Sequence, residues 1–191
     1  MTSRPLSKDL LEDLGRAGDE VWKRHRDRRG GAFHGFVPAD HQGAHEALVA
    51  LRERADNFVE LGAGAGVITI VADLLGFDAY GIEIEPWLVE AATDLAERFG
   101  SSATFVEGSF FPRGFDAVGL QADADFHVTY DAAPSAWDEL GLELDDFDLV
   151  YAYPWPGEEP LFERLLRAAG RRGATFLRYA ADEGFSTVAI D

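Results

Sequence analysis

The sequence contains no cysteine, which excludes a disulfide framework and any zinc site built from cysteine ligands. It also lacks an apolar run near the roughly 20 residues that span a bilayer, so we expect no membrane partner. The first residues, MTSRPLSKDLLEDLG, lack the apolar core of a secretory signal peptide. We therefore expect a soluble, cytoplasmic protein.

Basic residues are scarce. Lysine and arginine together number 17 against 35 acidic residues, which gives a net charge of −18. The only lysines are Lys8 and Lys23. A strongly negative surface repels phosphate backbones, so we expect no nucleic-acid partner. An acidic surface suits a basic protein target better, while the oligomeric state stays unknown at this level.

Apolar residues are plentiful. The chain has 191 residues, of which 47% are hydrophobic, with 14 Phe and 4 Trp. This composition builds a real core, and the length is that of about one domain.

The order of apolar patterns predicts an α/β fold. Helical spacing over residues 6–29 and after Asp40, a plausible N-cap, predicts an N-terminal helical extension over residues 1–56. Residues 57–191 then form the ligand-binding domain, in which short apolar strands alternate with amphipathic helices. We predict strands at 57–63, 79–85, 103–110, 148–153, 174–180 and 185–190, with helices at 67–75, from 86 onward and at 159–171.

The last connection, residues 181–184, is too short for a crossover, so the sixth strand should run antiparallel to the fifth. The predicted architecture is a Rossmann-like three-layer sandwich. Its sheet is mostly parallel and ends in an antiparallel C-terminal edge strand. The whole chain is expected to form one structural domain.

A glycine-rich turn follows the first predicted strand, in the stretch VELGAGAGV. Its glycines are spaced GxGxG, whereas the dinucleotide fingerprint is GxGxxG and would need glycine where Val67 stands. Glu60 would also oppose the anionic pyrophosphate of a dinucleotide. It would favour the sulfonium and ammonium of S-adenosylmethionine (SAM). These two features disfavour a nucleotide-dependent oxidoreductase, although a glycine turn without a ligand remains an alternative.

A second acidic side chain, Glu83, ends the next predicted strand about 20 residues further on. A carboxylate at that spacing can accept hydrogen bonds from both hydroxyls of a ribose. The alternative is a carboxylate that is simply solvated at a strand end.

The stretches VELGAGAGV and GIEIEPWLVEAA resemble motifs I and II of the class I SAM-dependent methyltransferases, and the resemblance extends over roughly residues 57–190. It implies that the cofactor is SAM and the product S-adenosylhomocysteine. Glu60 and the loop backbone would hold the methionine part, Glu83 the ribose, and Ile84 the adenine. Ser109 stands where many members carry an acid that binds adenine. The full cofactor set that the resemblance implies is Glu60, Gly62, Ala63, Gly64, Gly66, Glu83, Ile84, Gly108, Ser109, Phe110 and Tyr151.

The fourth strand ends in Tyr-Pro-Trp-Pro, where amino-group methyltransferases carry Asn or Asp followed by Pro-Pro and an aromatic residue. Tyr153 and Trp155 would therefore form an aromatic platform for the acceptor, unless they are ordinary core residues. Asp40 is a candidate base, alongside His41, Tyr153 and Glu158. Residues 33–45 are expected to fold over the cofactor as a lid.

His41 and His45 are four residues apart, but nothing else in the chain offers metal-ligand spacing, so we expect no metal. The sequence thus predicts an enzyme that transfers a methyl group from SAM to a small molecule or a protein side chain. The alternative is a module that binds SAM without catalysis.

Overall fold

A single six-stranded sheet forms the centre of the molecule. The computed structural model describes residues 5–28, 39–115 and 133–191. The strand order is β3-β2-β1-β4-β5-β6. Their bounds are β1 (Asn57–Leu61), β2 (Asp78–Glu83), β3 (Thr104–Glu107), β4 (Leu149–Ala152), β5 (Thr175–Ala180) and β6 (Gly184–Ala189). The first five strands are parallel and β6 runs antiparallel to β5, which confirms the predicted sheet.

Helices cover the sheet. They are α1 (Lys8–Arg28), α2 (His41–Leu51), α3 (Val67–Leu74), α4 (Pro86–Phe99), α5 (Trp137–Leu140) and α6 (Glu159–Ala169). Asp40 caps α2, because its Oδ1 accepts a hydrogen bond from the N–H of Gly43 at 3.0 Å. Pro86 opens α4 and Gly100 ends it at φ 69°. No helix in the described ranges is both long and apolar enough to cross a bilayer.

The strand order reverses at β1, which lies between β2 on one side and β4 on the other. In parallel sheets the crevice at such a switch point, at the carboxyl ends of the strands, is where ligands bind. Glu60 of β1 pairs in register with Tyr151 of β4. The fold therefore brings the glycine turn and the fourth-strand motif to one place.

Two hydrophobic clusters flank the sheet, because successive side chains of a strand point to opposite faces. Phe58 belongs to the cluster that also contains residues of α1, α2, α3 and α4. Val59 belongs to the opposite cluster, which includes residues of α6. Leu14 of α1 and Leu48 of α2 are fully buried in the first cluster. The N-terminal helices therefore share a core with the sheet.

Two glycines let α1 approach its neighbours closely. A Cβ atom at Gly18 would clash with Cγ2 of Val67, at the start of α3. A Cβ at Gly15 would lie 2.8 Å from Nδ1 of His41. The backbone of α1 is thus in direct contact with the beginnings of α2 and α3.

Candidate functional site

The glycine turn connects β1 to α3 through three residues in the left-handed region. Gly62, Gly64 and Gly66 have φ values of 85°, 55° and 76°. A Cβ at Gly64 would lie 2.6 Å from the indole of Trp22, and one at Gly66 would lie 2.6 Å from the ring of Phe105. Nothing lies within 4 Å of a Cβ built at Gly62. The turn therefore needs glycine for its conformation at all three positions and for packing at two.

A cavity of about 70 Å³ lies against this turn. Four parts of the chain enclose it: α1, the start of α2, the β1–α3 turn and the end of β4. Six of its lining residues were predicted as site residues, namely Glu60, Gly62, Ala63, Gly64, Tyr151 and Tyr153. The others are Gly18, Asp19, Trp22, Ala39, His41, Ala65, Val67 and Ile68.

Glu60 is buried beneath the turn and serves α3. Its Oε2 accepts hydrogen bonds from the N–H of Thr69 at 3.0 Å and from the Thr69 hydroxyl at 2.5 Å. Burial raises the pKa of Glu60 from its ordinary 4.5 to about 8, the Thr69 bonds offset part of this rise, and the charge of Glu83 adds to it. Glu60 thus satisfies a backbone donor in the first turn of α3, where the N-cap residue Gly66 has no side chain.

Glu83 ties the end of β2 to the glycine turn. Its Oε2 accepts from the N–H of Gly64 at 2.7 Å, and its Oε1 accepts from the N–H groups of Ile84 at 2.8 Å and Glu85 at 3.0 Å. Burial raises the pKa of Glu83, while the three backbone bonds act in the opposite direction. The carboxylate therefore has a structural role that the sequence did not reveal.

Tyr151 places a hydroxyl group in the wall of the cavity. The residue is only 1% exposed, and its hydroxyl has no hydrogen-bond partner among the residues that the structure describes. Burial raises its pKa well above 10, with contributions from Glu60, Tyr153 and Tyr179, so the phenol stays protonated and can donate. A buried donor without a partner indicates a place where a ligand or an ordered water completes the network.

The predicted acceptor-side residues are separated in the structure. Tyr153 lines the cavity and makes an edge contact with Tyr179, with ring centroids 4.8 Å apart. Trp155 lies outside the cavity lining, and its N–H donates to Oε2 of Glu158 at 3.1 Å. Asp40 is exposed as the cap of α2 and is also absent from the lining. The structure therefore brings one of the three residues to the cavity.

The residues predicted to contact adenine lie beside the cavity. The hydroxyl of Ser109 accepts from the N–H of Phe111 at 3.2 Å. The N–H of Gly108 donates to the carbonyl of Glu83 at 2.9 Å, and Phe110 packs against Phe162. Ile84 is half-buried after β2. Their roles toward adenine stay predictions.

His41 replaces Asp40 as the side chain from α2 that reaches the cavity. Burial lowers the pKa of His41, and the negative charges of Asp19 and Asp40 act in the opposite direction. The imidazole is therefore mostly neutral at pH 7 and able to accept a proton. Within the described ranges, no group of three or more His, Asp or Glu side chains is arranged to hold a metal ion.

The sequence analysis missed the contribution of α1, which provides Gly18, Asp19 and Trp22. One signal was available, because two glycines inside a helical pattern usually have a packing reason. Of the predicted lid, residues 33–38 lie outside the described residues. Its remainder provides Ala39 and His41 to the cavity.

The sheet order, the glycine turn and the acid at the end of β2 define a class I SAM-dependent methyltransferase fold. An RNA methyltransferase from Salinibacter ruber, solved with S-adenosylhomocysteine, superimposes with a TM-score of 0.53 at 20% identity. The match covers 74% of this chain and 76% of that one.

Two curated relatives are methyltransferases. The ribosomal protein L11 methyltransferase of Thermus thermophilus is 34% identical over 100 residues, which is 49% of this chain and 39% of that protein. A lysine N-methyltransferase of ATP synthase from Mus musculus is 32% identical over 129 residues, or 65% of this chain and 51% of that protein. The chain thus spans about half the length of these relatives or less. No family model matches the sequence.

Proposed function

We propose that the chain is a SAM-dependent methyltransferase that acts on an amine of a protein side chain. The observation that carries this proposal is the cavity between the glycine turn and the end of β4, with the buried Tyr151 hydroxyl in its wall. The side chains around it fit SAM, because Glu60 and Asp19 supply negative charge for a cationic ligand. A small-molecule acceptor is the alternative within the same reaction class.

Each part of the site has a proposed task. SAM, when bound, supplies a methyl group on a sulfonium centre. The glycine turn admits the ligand close to the backbone, and Glu83 holds the ribose while it keeps Gly64 in place. Trp22 covers the turn and excludes water. Alignment of the acceptor with the methyl group supplies most of the acceleration in such a displacement.

The proposed acceptor follows from charge and from the relatives. One relative acts on a ribosomal protein and the other on a lysine of ATP synthase. A net charge of −18 attracts basic proteins, and Tyr153 offers an aromatic face to an ammonium group. An amine must lose a proton before it can be methylated, and His41 lines the same cavity with a lowered pKa.

Calorimetry with SAM and S-adenosylhomocysteine tests the cofactor site. We expect wild type to bind both ligands, and Glu83→Ala to weaken binding by about 1–3 kcal/mol because charged hydrogen bonds are lost. Since Glu83 also holds the turn, the thermal stability of both proteins is measured without ligand. Absence of binding by a folded wild type would contradict the proposal.

A non-catalytic SAM-binding module is the second candidate. It is favoured by Tyr153, which stands where amino-group methyltransferases carry Asn or Asp, and by the serine at position 109. Incubation with SAM and a panel of lysine-rich proteins separates the two candidates. An enzyme releases S-adenosylhomocysteine and adds 14 Da per methyl group to its target, as mass spectrometry would detect, whereas a binding module produces neither.

A further inference from the structure

The amino-acid end of SAM carries an ammonium group, and the same end is present in S-adenosylhomocysteine. Glu60 is the acid that the sequence motif assigns to this end. Its Oε2 is already occupied by both bonds from Thr69. Burial also raises the pKa of Glu60 to about 8, so much of it is protonated at pH 7. A second carboxylate is needed to meet a fixed positive charge.

Asp19 of α1 provides such a carboxylate. It lines the cavity with Glu60, Gly62 and Gly64. The side chain is exposed to solvent and enters no hydrogen bond or ion pair with any residue in the described ranges. Its neighbours in sequence differ, because Glu20 pairs with Arg24 at 3.8 Å and Asp13 pairs with Arg16.

We propose that Asp19 binds the ammonium group at the amino-acid end of SAM, an inference that rests on the proposed function. The close contact of Gly18 with Val67 fixes this stretch of α1 against the start of α3. Asp19 is therefore carried to the cavity by a rigid helix. Closure of the ligand between α1 and the glycine turn removes water from the pair, which strengthens the charged hydrogen bond.

An independent observation places a ligand in this cavity. The Tyr151 hydroxyl, 1% exposed and without a partner in the described part of the chain, needs an acceptor that the protein does not supply. The carboxylate at the amino-acid end of SAM is such an acceptor. Asp19 and Tyr151 then match the two charged groups of that end, one from α1 and one from β4.

Other charged groups that face Asp19 do not take over its role. His41 of α2 interacts electrostatically with Asp19, and burial lowers its pKa, so it is mostly neutral at pH 7. Glu60 of β1 is engaged with Thr69. Asp40 caps α2 outside the cavity lining.

Calorimetry on Asp19→Asn with two probes tests the inference. S-adenosylhomocysteine contains the amino-acid end, whereas 5′-methylthioadenosine has the same nucleoside without it. We expect the variant to raise the Kd for S-adenosylhomocysteine by about tenfold or more, the scale of a charged hydrogen bond. The Kd for 5′-methylthioadenosine should stay the same.

Glu20→Gln is the matched control, since it changes the net charge equally at the adjacent position of the same helix. Its exposed ion pair contributes little to stability. An equal loss of affinity in both variants, or an equal loss for both probes in Asp19→Asn, would overturn the inference. If wild type bound neither probe, the proposed function itself would fail and this inference with it.

Discussion

Glu60 shows how one side chain can serve both the fold and the ligand. It holds its proton more tightly in the folded chain, with a pKa of about 8, than at its ordinary value of 4.5. Between these two values the folded state binds more protons than the unfolded state. The free energy of unfolding that Glu60 contributes therefore falls as pH rises through this window.

The Glu60→Gln variant isolates this effect. Glutamine has no proton to lose, and its amide oxygen can still accept the bonds from Thr69. We expect the Tm of wild type to fall relative to the Tm of the variant as pH rises from about 5 to about 9. Thermal unfolding of both proteins across this range measures the difference. A constant difference would mean that Glu60 is ionised throughout.

Single residues also mark how far the sequence could be read. The motif predicted Glu60, Gly62 and Gly64 as neighbours, because they follow one another along the chain. Tyr151 was placed by resemblance, and the structure adds that its hydroxyl lacks a partner among the described residues. Asp19 lies about 40 residues before the turn, and only the packing of α1 brings it there, so no local pattern could predict it.

At the level of elements, the glycine turn contains two different kinds of glycine. Both Gly62 and Gly66 have positive φ, which costs any other residue about 1–2 kcal/mol. A Cβ at Gly66 would additionally lie 2.6 Å from Phe105 and 2.8 Å from Ala92. Gly66 is therefore constrained by packing and conformation, and Gly62 by conformation alone.

A pair of alanine variants should separate the two constraints. We expect Gly62→Ala to lower the free energy of unfolding by about 1–2 kcal/mol, and Gly66→Ala by about 1–3 kcal/mol more because it overpacks the core. Urea denaturation of both variants gives the comparison. Equal losses would show that Phe105 yields to the added methyl group at no cost.

The elements themselves were largely predictable, since apolar periodicity and capping residues are local signals. Asp40, Pro86 and Gly100 set helix ends where the sequence placed them. The strands are shorter than predicted at their carboxyl ends. For example, β4 stops at Ala152 rather than Tyr153, because Pro154 cannot donate to a neighbouring strand. The packing of α1 on α3 and α4 had no local signal beyond its glycines.

Over the whole molecule, the dominant feature is a net charge of −18. Like charges at this density repel one another in the compact state, and salt screens the repulsion. We expect the Tm to rise when NaCl increases from about 0.01 M to about 1 M, over which the Debye length falls from about 30 Å to about 3 Å. An unchanged Tm over this range would indicate that pairs such as Arg171–Asp148 already balance the surface.

The two glycines of α1 reverse a common rule of protein engineering. Replacing glycine by alanine inside a helix normally stabilises a protein by about 1 kcal/mol, so automated redesign would select Gly15 and Gly18 first. At these positions the methyl group would meet His41 and Val67. The change would move α1 away from the cavity wall. Mutational scans that score helix propensity alone would therefore misread these two positions as free gains.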